Sequence, residues 1–300
     1  MTPQRLDTDP IDVYALPRGK EEEKRQVWVP ERAFAIGHRV FTQLGNGLIH
    51  PSIPKPHLRS IADIATGTGV WLLDVAKSLC RNDALYVGFD ISSSQFPTPA
   101  SLPPEGSFMF KVHDMTRHFP AEYHAQFDLV NIRLVVQGLK AANVALVISH
   151  ALQLLRGKEP GGYIQWGDVT WAEVTSVPSH LDLDMVDGII RAHMRHHGLS
   201  MRLPDLVELA MKRQGLKDIT RSDNYSNNSK LSVEEGIRVL KEAELSMLPK
   251  AAETVRNSVP LTSLGQKQIS EMTGKVNQAL VSSSQIWRFS FAVVVGRKDN

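Results

Sequence analysis

Apolar residues follow two rhythms along the 300-residue chain. Between residues 60 and 167, short apolar runs alternate with segments of helical spacing. Residues 60–65 predict a strand that runs into the turn Thr66-Gly67-Thr68-Gly69. The next segment, Val70–Leu79, places Trp71, Leu72, Val75, Ala76 and Leu79 at the spacing of one helix face. Further strands are predicted at Leu85–Asp90, Ser107–Val112, 127–132 and 163–167, with a helix at 141–155 before Gly161-Gly162. The unbroken apolar run at 127–132 is that of a strand covered on both faces. Strands alternating with helices predict an α/β layer with a mostly parallel sheet.

Outside that stretch the alternation stops. The first 30 residues are polar, punctuated by Pro10, Pro17 and Pro30, with a charged helix predicted over 20–29. Residues 31–48 carry Phe34, Val40, Phe41, Leu44 and Leu48 near helical spacing, and Pro51, Pro54 and Pro56 end that helix. Residues 171–214 read as mostly helical and precede a short strand at 216–220. A polar Ser/Asn loop and further helices are expected over 221–286. The last strand is 287–297, where Phe289, Phe291, Val293 and Val295 alternate with a second, mostly apolar face. The expected organisation is a helical lid segment at 1–57, a core at 58–170, and a helical cap at 171–214. Residues 215–300 complete the core around the insertion 221–286. The sheet then has seven strands with helices on both faces.

Composition narrows the chemistry. With 42% hydrophobic and 22% charged residues the chain is ordinary globular material. Its one cysteine, Cys80, excludes an intrachain disulfide and a cysteine-only metal site. The balance of 34 basic against 32 acidic residues offers no electrostatic case for a nucleic-acid or membrane partner. No secretory signal or long apolar span is read, so a cytoplasmic setting is expected, with the sequons at Asn224 and Asn227 unused.

The candidate chemistry gathers at strand ends. Asp63-Ile-Ala-Thr-Gly67-Thr-Gly69 lets backbone approach a ligand without Cβ obstruction, at the carboxyl edge where open α/β sheets bind ligands. A third dinucleotide glycine would fall at Leu72, so that fingerprint fails, and Asp63 suits an ammonium better than a pyrophosphate. Asp90 closes the second strand, placed to accept from both hydroxyls of a ribose. His113-Asp114-Met115 follows the third strand, where a carboxylate can take the exocyclic amine of an adenine.

These residues resemble the class I S-adenosylmethionine-dependent methyltransferases, whose motif D-x-G-x-G-x-G stands here as Asp63-x-Ala65-x-Gly67-x-Gly69. The resemblance implies a Rossmann-like sheet whose last strand is antiparallel, and S-adenosylmethionine as cofactor. It implies cofactor contacts at Asp63, Ala65, Thr66, Gly67, Gly69, Asp90, Ile91, His113, Asp114, Met115, Asn131 and Arg133. Tyr14-x-Leu16-Pro17 ahead of the glycine motif and Trp71 is similar to fungal methyltransferase-like proteins of secondary metabolism, although Val27-Trp28 stands where that group often has Gln-His. That group includes a regulator of metabolite clusters, so a partner-binding regulator stays open beside methyl transfer. So does a cofactor-dependent isomerase or cyclase. A nicotinamide oxidoreductase is the least favoured rival.

For methyl transfer, the expected acceptor is a hydrophobic small molecule, methylated at oxygen or nitrogen by a monomer or homodimer. Val186, Ile189, Ile190, His193 and His197 share one helix face, which makes His193 and His197 candidates to line the pocket and move a proton. Packing is the commoner use of such histidines, and without a third ligand they make no metal site. Trp166 could stack on a flat acceptor and Asp168 could polarise its hydroxyl, with Arg133 beside them at the mouth.

Overall fold

The computed structural model describes residues 31–157, 161–177, 179–226, 248, 250–254, 271, 274 and 286–299. The helix expected over 20–29, the Tyr14-x-Leu16-Pro17 motif and most of the insertion 221–286 lie outside them. The chain enters with α1 (Glu31–Leu44), then β1 (Ser60–Ile64), α2 (Val70–Leu79), β2 (Leu85–Asp90), β3 (Ser107–Val112) and β4 (Leu129–Arg133). After α3 (Val144–Leu154) come β5 (Tyr163–Val177), α4 (Leu181–His196), α5 (Leu203–Arg213), β6 (Lys217–Tyr225) and β7 (Ile286–Arg297). Among these, no helix is long and apolar enough to cross a membrane.

The seven strands form one sheet in the order β3-β2-β1-β4-β5-β7-β6. Strands β1 to β5 pair in parallel, while β7 runs antiparallel to both β5 and β6. The order reverses beside β1, which puts a crevice at the carboxyl ends of β1, β2 and β4. Every residue of β1 is buried, as its Ser-Ile-Ala-Asp-Ile sequence between two central strands requires.

Alternation along β7 decides the two layers. Phe289, Phe291 and Val293 face α1, with Phe41 packed on both phenyl rings and Gly45 against Val293. Gly296, on the other face, lies under Leu216 and Met211 of the α5 end. Helices therefore cover both faces of this edge.

Strand β5 runs well past the expected end at Gly167. Val169, Thr170, Val174, Thr175 and Val177 are β-branched and favour the extended chain. The antiparallel β7 offers them partners from Ser290 back to Ile286, across a bulge between Thr170 and Thr175. Helical structure in the region expected as cap begins at Leu181.

A row of polar side chains crosses the α1 face of this buried sheet. Asp63, Asn131 and Gln165 occupy one register line on β1, β4 and β5. Asn131 Nδ2 donates to Asp63 Oδ1 at 2.8 Å, and Gln165 Nε2 donates to Asn131 Oδ1 at 3.0 Å. The row ends on the segment after α1: Gln165 Nε2 also reaches the Leu48 carbonyl at 2.9 Å, and its Oε1 accepts the His50 N–H at 2.7 Å. Trp71 Nε1 donates to the same Leu48 carbonyl, and His50 Nε2 meets Ser222 Oγ. Leu48 and His50 are thereby tied directly to β5, β6 and α2, and through Gln165 to the row on β4 and β1.

Candidate active site

The crevice holds a cleft of about 220 Å³. Ala65 and Gly67 line it from the turn after β1, Asp90 and Ile91 from the end of β2 and just beyond it, and His113, Asp114 and Met115 from the loop after β3. Arg133, Leu134, Val135, Gly138 and Leu139 line it from β4 and the loop that follows. The turn needs a left-handed backbone at Ala65 (φ 58°), Gly67 (φ 54°) and Gly69 (φ 70°). Glycine adopts this at little cost, whereas Ala65 carries roughly 1 kcal/mol of strain. A Cβ on Gly67 would come no nearer than 3.7 Å to any protein atom and would fill cleft space, and one on Gly69 would strike the Phe110 ring at 2.9 Å.

Asp90 is anchored by backbone. Its Oδ2 accepts the Gly67 N–H at 2.9 Å and its Oδ1 the Ser92 N–H at 3.1 Å. Each oxygen retains acceptor capacity, which suits a pair of vicinal hydroxyls. Asp114 Oδ1 accepts from Thr116 N and Oγ1, both at 2.8 Å, while Oδ2 makes no hydrogen bond among the described residues. Ile91 (52% exposed) and Leu134 (38% exposed) present apolar surface on opposite lips. His113 packs on Phe119 at 4.2 Å and donates from Nε2 to the Arg117 carbonyl, so it stands as a wall. Hydroxyl acceptors, an open carboxylate oxygen, apolar lips and a turn without a Cβ at Gly67 fit an adenosyl group.

Asp63, Thr66, Gly69 and Asn131 stand behind this lining. Asp63 accepts Thr66 Oγ1–H at 2.7 Å as well as Asn131, so it braces the turn from below. Burial pushes its carboxyl up to about 6, against those two donors and the nearby charge of Arg133.

Arg133 reaches the cleft from the end of β4, and a guanidinium nitrogen lies 3.1 Å from His38 Nδ1 on α1. His38 Nε2 lies 3.2 Å from Asp74 Oδ2 on α2. Arginine can only donate and carboxylate only accept, so Nδ1 of His38 is the acceptor and Nε2 carries the proton. Burial first, then Arg133, lowers the His38 pKa to about 4 against the pull of Asp74. Burial also lowers Arg133 to about 10.

The structure does not bring the remaining candidates to the lining. Trp166 is buried, as is Asp168, whose Oδ2 accepts the Val135 N–H at 2.9 Å and whose Oδ1 accepts the Val169 N–H. Desolvation pushes Asp168 up to about 7, although these donors favour its charged form. His193 is fully buried and bonds Thr254 Oγ1 through Nδ1 at 2.9 Å, while His197 caps α4, its ring 4.4 Å from His193. Burial, then His197, Lys250 and His196, lowers His193 to about 4. The unfolded chain therefore takes up this proton first, and the stability His193 contributes above pH 6.5 is lost as pH falls towards 4. His193→Asn, which keeps a donor for Thr254, should lose less thermal stability than the parent between pH 6.5 and 4.5. Scanning calorimetry across that range checks this, and parallel curves would refute it.

Sequence reasoning missed His38, Asp74 and Gln165. Gln165 had a local signal, a polar side chain inside an otherwise apolar strand. His38 and Asp74 had none, since their meeting depends on how α1 lies on α2.

No family model matches the chain. Over 202 residues it is 32% identical to the methyltransferase grgD of a Penicillium species, covering 64% of this chain and 65% of that protein. Over 124 residues it is 33% identical to the N-methyltransferase verN of Clonostachys rogersoniana, covering 40% of each. The matches thus span about two thirds or less of these curated relatives. A solved cyclopropane-fatty-acyl-phospholipid synthase-like protein from Lactobacillus casei shares the fold at TM-score 0.51 and 13% identity, over 91% of this chain and 99% of that one.

Proposed function

We propose that this chain, a sequence relative of fungal secondary-metabolism methyltransferases, moves a methyl group from S-adenosylmethionine to the oxygen or nitrogen of a hydrophobic small molecule. One observation carries the reading: Asp114, Asp90 and the turn at Gly67, at the ends of the neighbouring strands β3, β2 and β1, line a single cleft. S-adenosylmethionine supplies a methyl already activated on a sulfonium, so the protein's task is mainly alignment. Orientation of this kind can supply about 7–11 kcal/mol of a barrier.

Each part of the cleft then has a task. Asp90 takes ribose hydroxyls, Asp114 the adenine amine, and Ile91 and Met115 the ring faces. The loop 134–139 presents Leu134, Val135 and Leu139 to an apolar acceptor, and Asp168 holds that loop through the Val135 N–H. Asp168 is in this reading a positioning residue for the acceptor wall. The near-neutral charge supports an acceptor other than nucleic acid or a membrane surface, and the reading takes the chain as a cytoplasmic monomer or homodimer.

The test incubates the full chain with S-adenosylmethionine and hydrophobic alcohols, phenols and amines, and follows S-adenosylhomocysteine release and product mass. A product heavier by one CH₂ is the expected result. Absence of calorimetric binding of both S-adenosylmethionine and S-adenosylhomocysteine would end the proposal. Products of unchanged mass would replace it with a cofactor-dependent isomerase or cyclase.

A further inference from the structure

We infer that His38 is a positioning residue that holds Arg133 as the receptor for the carboxylate on the amino-acid end of the cofactor, an assignment that rests on the cofactor reading above. Three observations converge on it. Arg133 lines the cleft and is half-buried, yet it makes no direct ion pair among the described residues. Its direct side-chain contact, His38 Nδ1, is a neutral acceptor that orients the guanidinium without cancelling its charge. His38 is in turn fixed by Asp74, which accepts the Nε2 proton and so keeps Nδ1 free of one.

A half-buried guanidinium that feels Asp63 and Asp74 only at a distance and has no direct ion pair is incompletely compensated, and an anion entering the cleft relieves that cost. The fork geometry of arginine matches a carboxylate in particular. Asp63 lies close enough for its charge to be felt by Arg133, but its oxygens are taken up by Thr66 and Asn131. The arrangement therefore leaves Arg133 for the ligand. It also makes α1, which precedes the sheet, part of the cofactor site through one side chain.

The source of the anion separates by ligand. S-adenosylhomocysteine carries the amino-acid end, whereas 5′-methylthioadenosine keeps the adenosine and thioether and lacks it. Calorimetry on the full chain should show His38→Ala weakening S-adenosylhomocysteine about tenfold while 5′-methylthioadenosine changes less than twofold. His38→Gln, which offers both an acceptor and a donor, should recover most of the loss. Asp74 is 40% exposed, so Asp74→Ala tests the same chain with little risk to folding and should give a smaller loss with the same selectivity.

Equal loss for both ligands in His38→Ala and Asp74→Ala would reduce His38 to packing, and no loss for either would remove it from the site. Both results overturn the inference. Failure of the unaltered chain to bind either ligand would instead overturn the cofactor reading itself.

Discussion

Asp90→Ala should abolish measurable cofactor binding, with S-adenosylhomocysteine affinity falling at least a hundredfold. Two effects add. A carboxylate that accepts from two hydroxyls contributes about 1.5–3 kcal/mol for each charge-assisted bond, and both are lost. The Gly67 and Ser92 N–H groups, which Asp90 now satisfies, also lose their acceptor. An unsatisfied donor costs about 1–3 kcal/mol, which is enough to loosen a turn that already holds Ala65 in a left-handed conformation. Asp90→Asn should fall between the two, because its amide oxygen can still accept from one of the backbone groups. Titration calorimetry of the three proteins decides it, and a loss under threefold in Asp90→Ala would remove Asp90 from the cofactor site.

Gln165→Leu should destabilise the chain by about 3 kcal/mol although the substitution is apolar and the site is buried. Leucine suits the position by hydrophobicity, yet Gln165 is the hub of the row that crosses the sheet. Its removal leaves the His50 N–H and Asn131 Oδ1 without these partners, at about 1–3 kcal/mol each. The Leu48 carbonyl keeps Trp71, so the damage falls on the end nearer His50. Urea unfolding gives the energy, and hydrogen exchange should show lost protection at the His50 amide first. A change under about 1 kcal/mol, or uniform loosening of the sheet, would contradict the role of the row.

The strands of the central sheet were legible in sequence because each is a short apolar run closed by turn residues. Leu85–Asp90 and Ser107–Val112 match to the residue, as does the helix Val70–Leu79. The strand after Gly167 was not legible, because Val169 to Val177 is β-branched but carries polar breaks, and its pairing partner lies more than a hundred residues on. That Asp90 and Asp114 would line one cleft was legible because a strand end is a local feature with a chemical meaning. His193 and His197 share an apolar stripe, but a helix face has no label for cleft or core, and packing against Thr254 settled where His193 lies. His38 illustrates the limit from the other side. Its role depends on a contact with Arg133, 95 residues away, which no local pattern announces.

The antiparallel β7 has a consequence for the order in which the molecule can be made. It lies between β5 and β6 in space, but follows both in the chain. During synthesis β6 has no neighbour to pair with until residues 286–297 have left the ribosome, and the outer edge of β5 waits open for the same strand. The phenyl rings of Phe289 and Phe291 also complete the seat of Phe41, so α1 cannot finish docking earlier. The first and last described elements are thus assembled together, by contacts of the longest sequence separation and hence of slow closure. Until that moment the outer edge of β5 and the edge of β6 that β7 will fill stay unpaired, the arrangement most prone to pairing elsewhere.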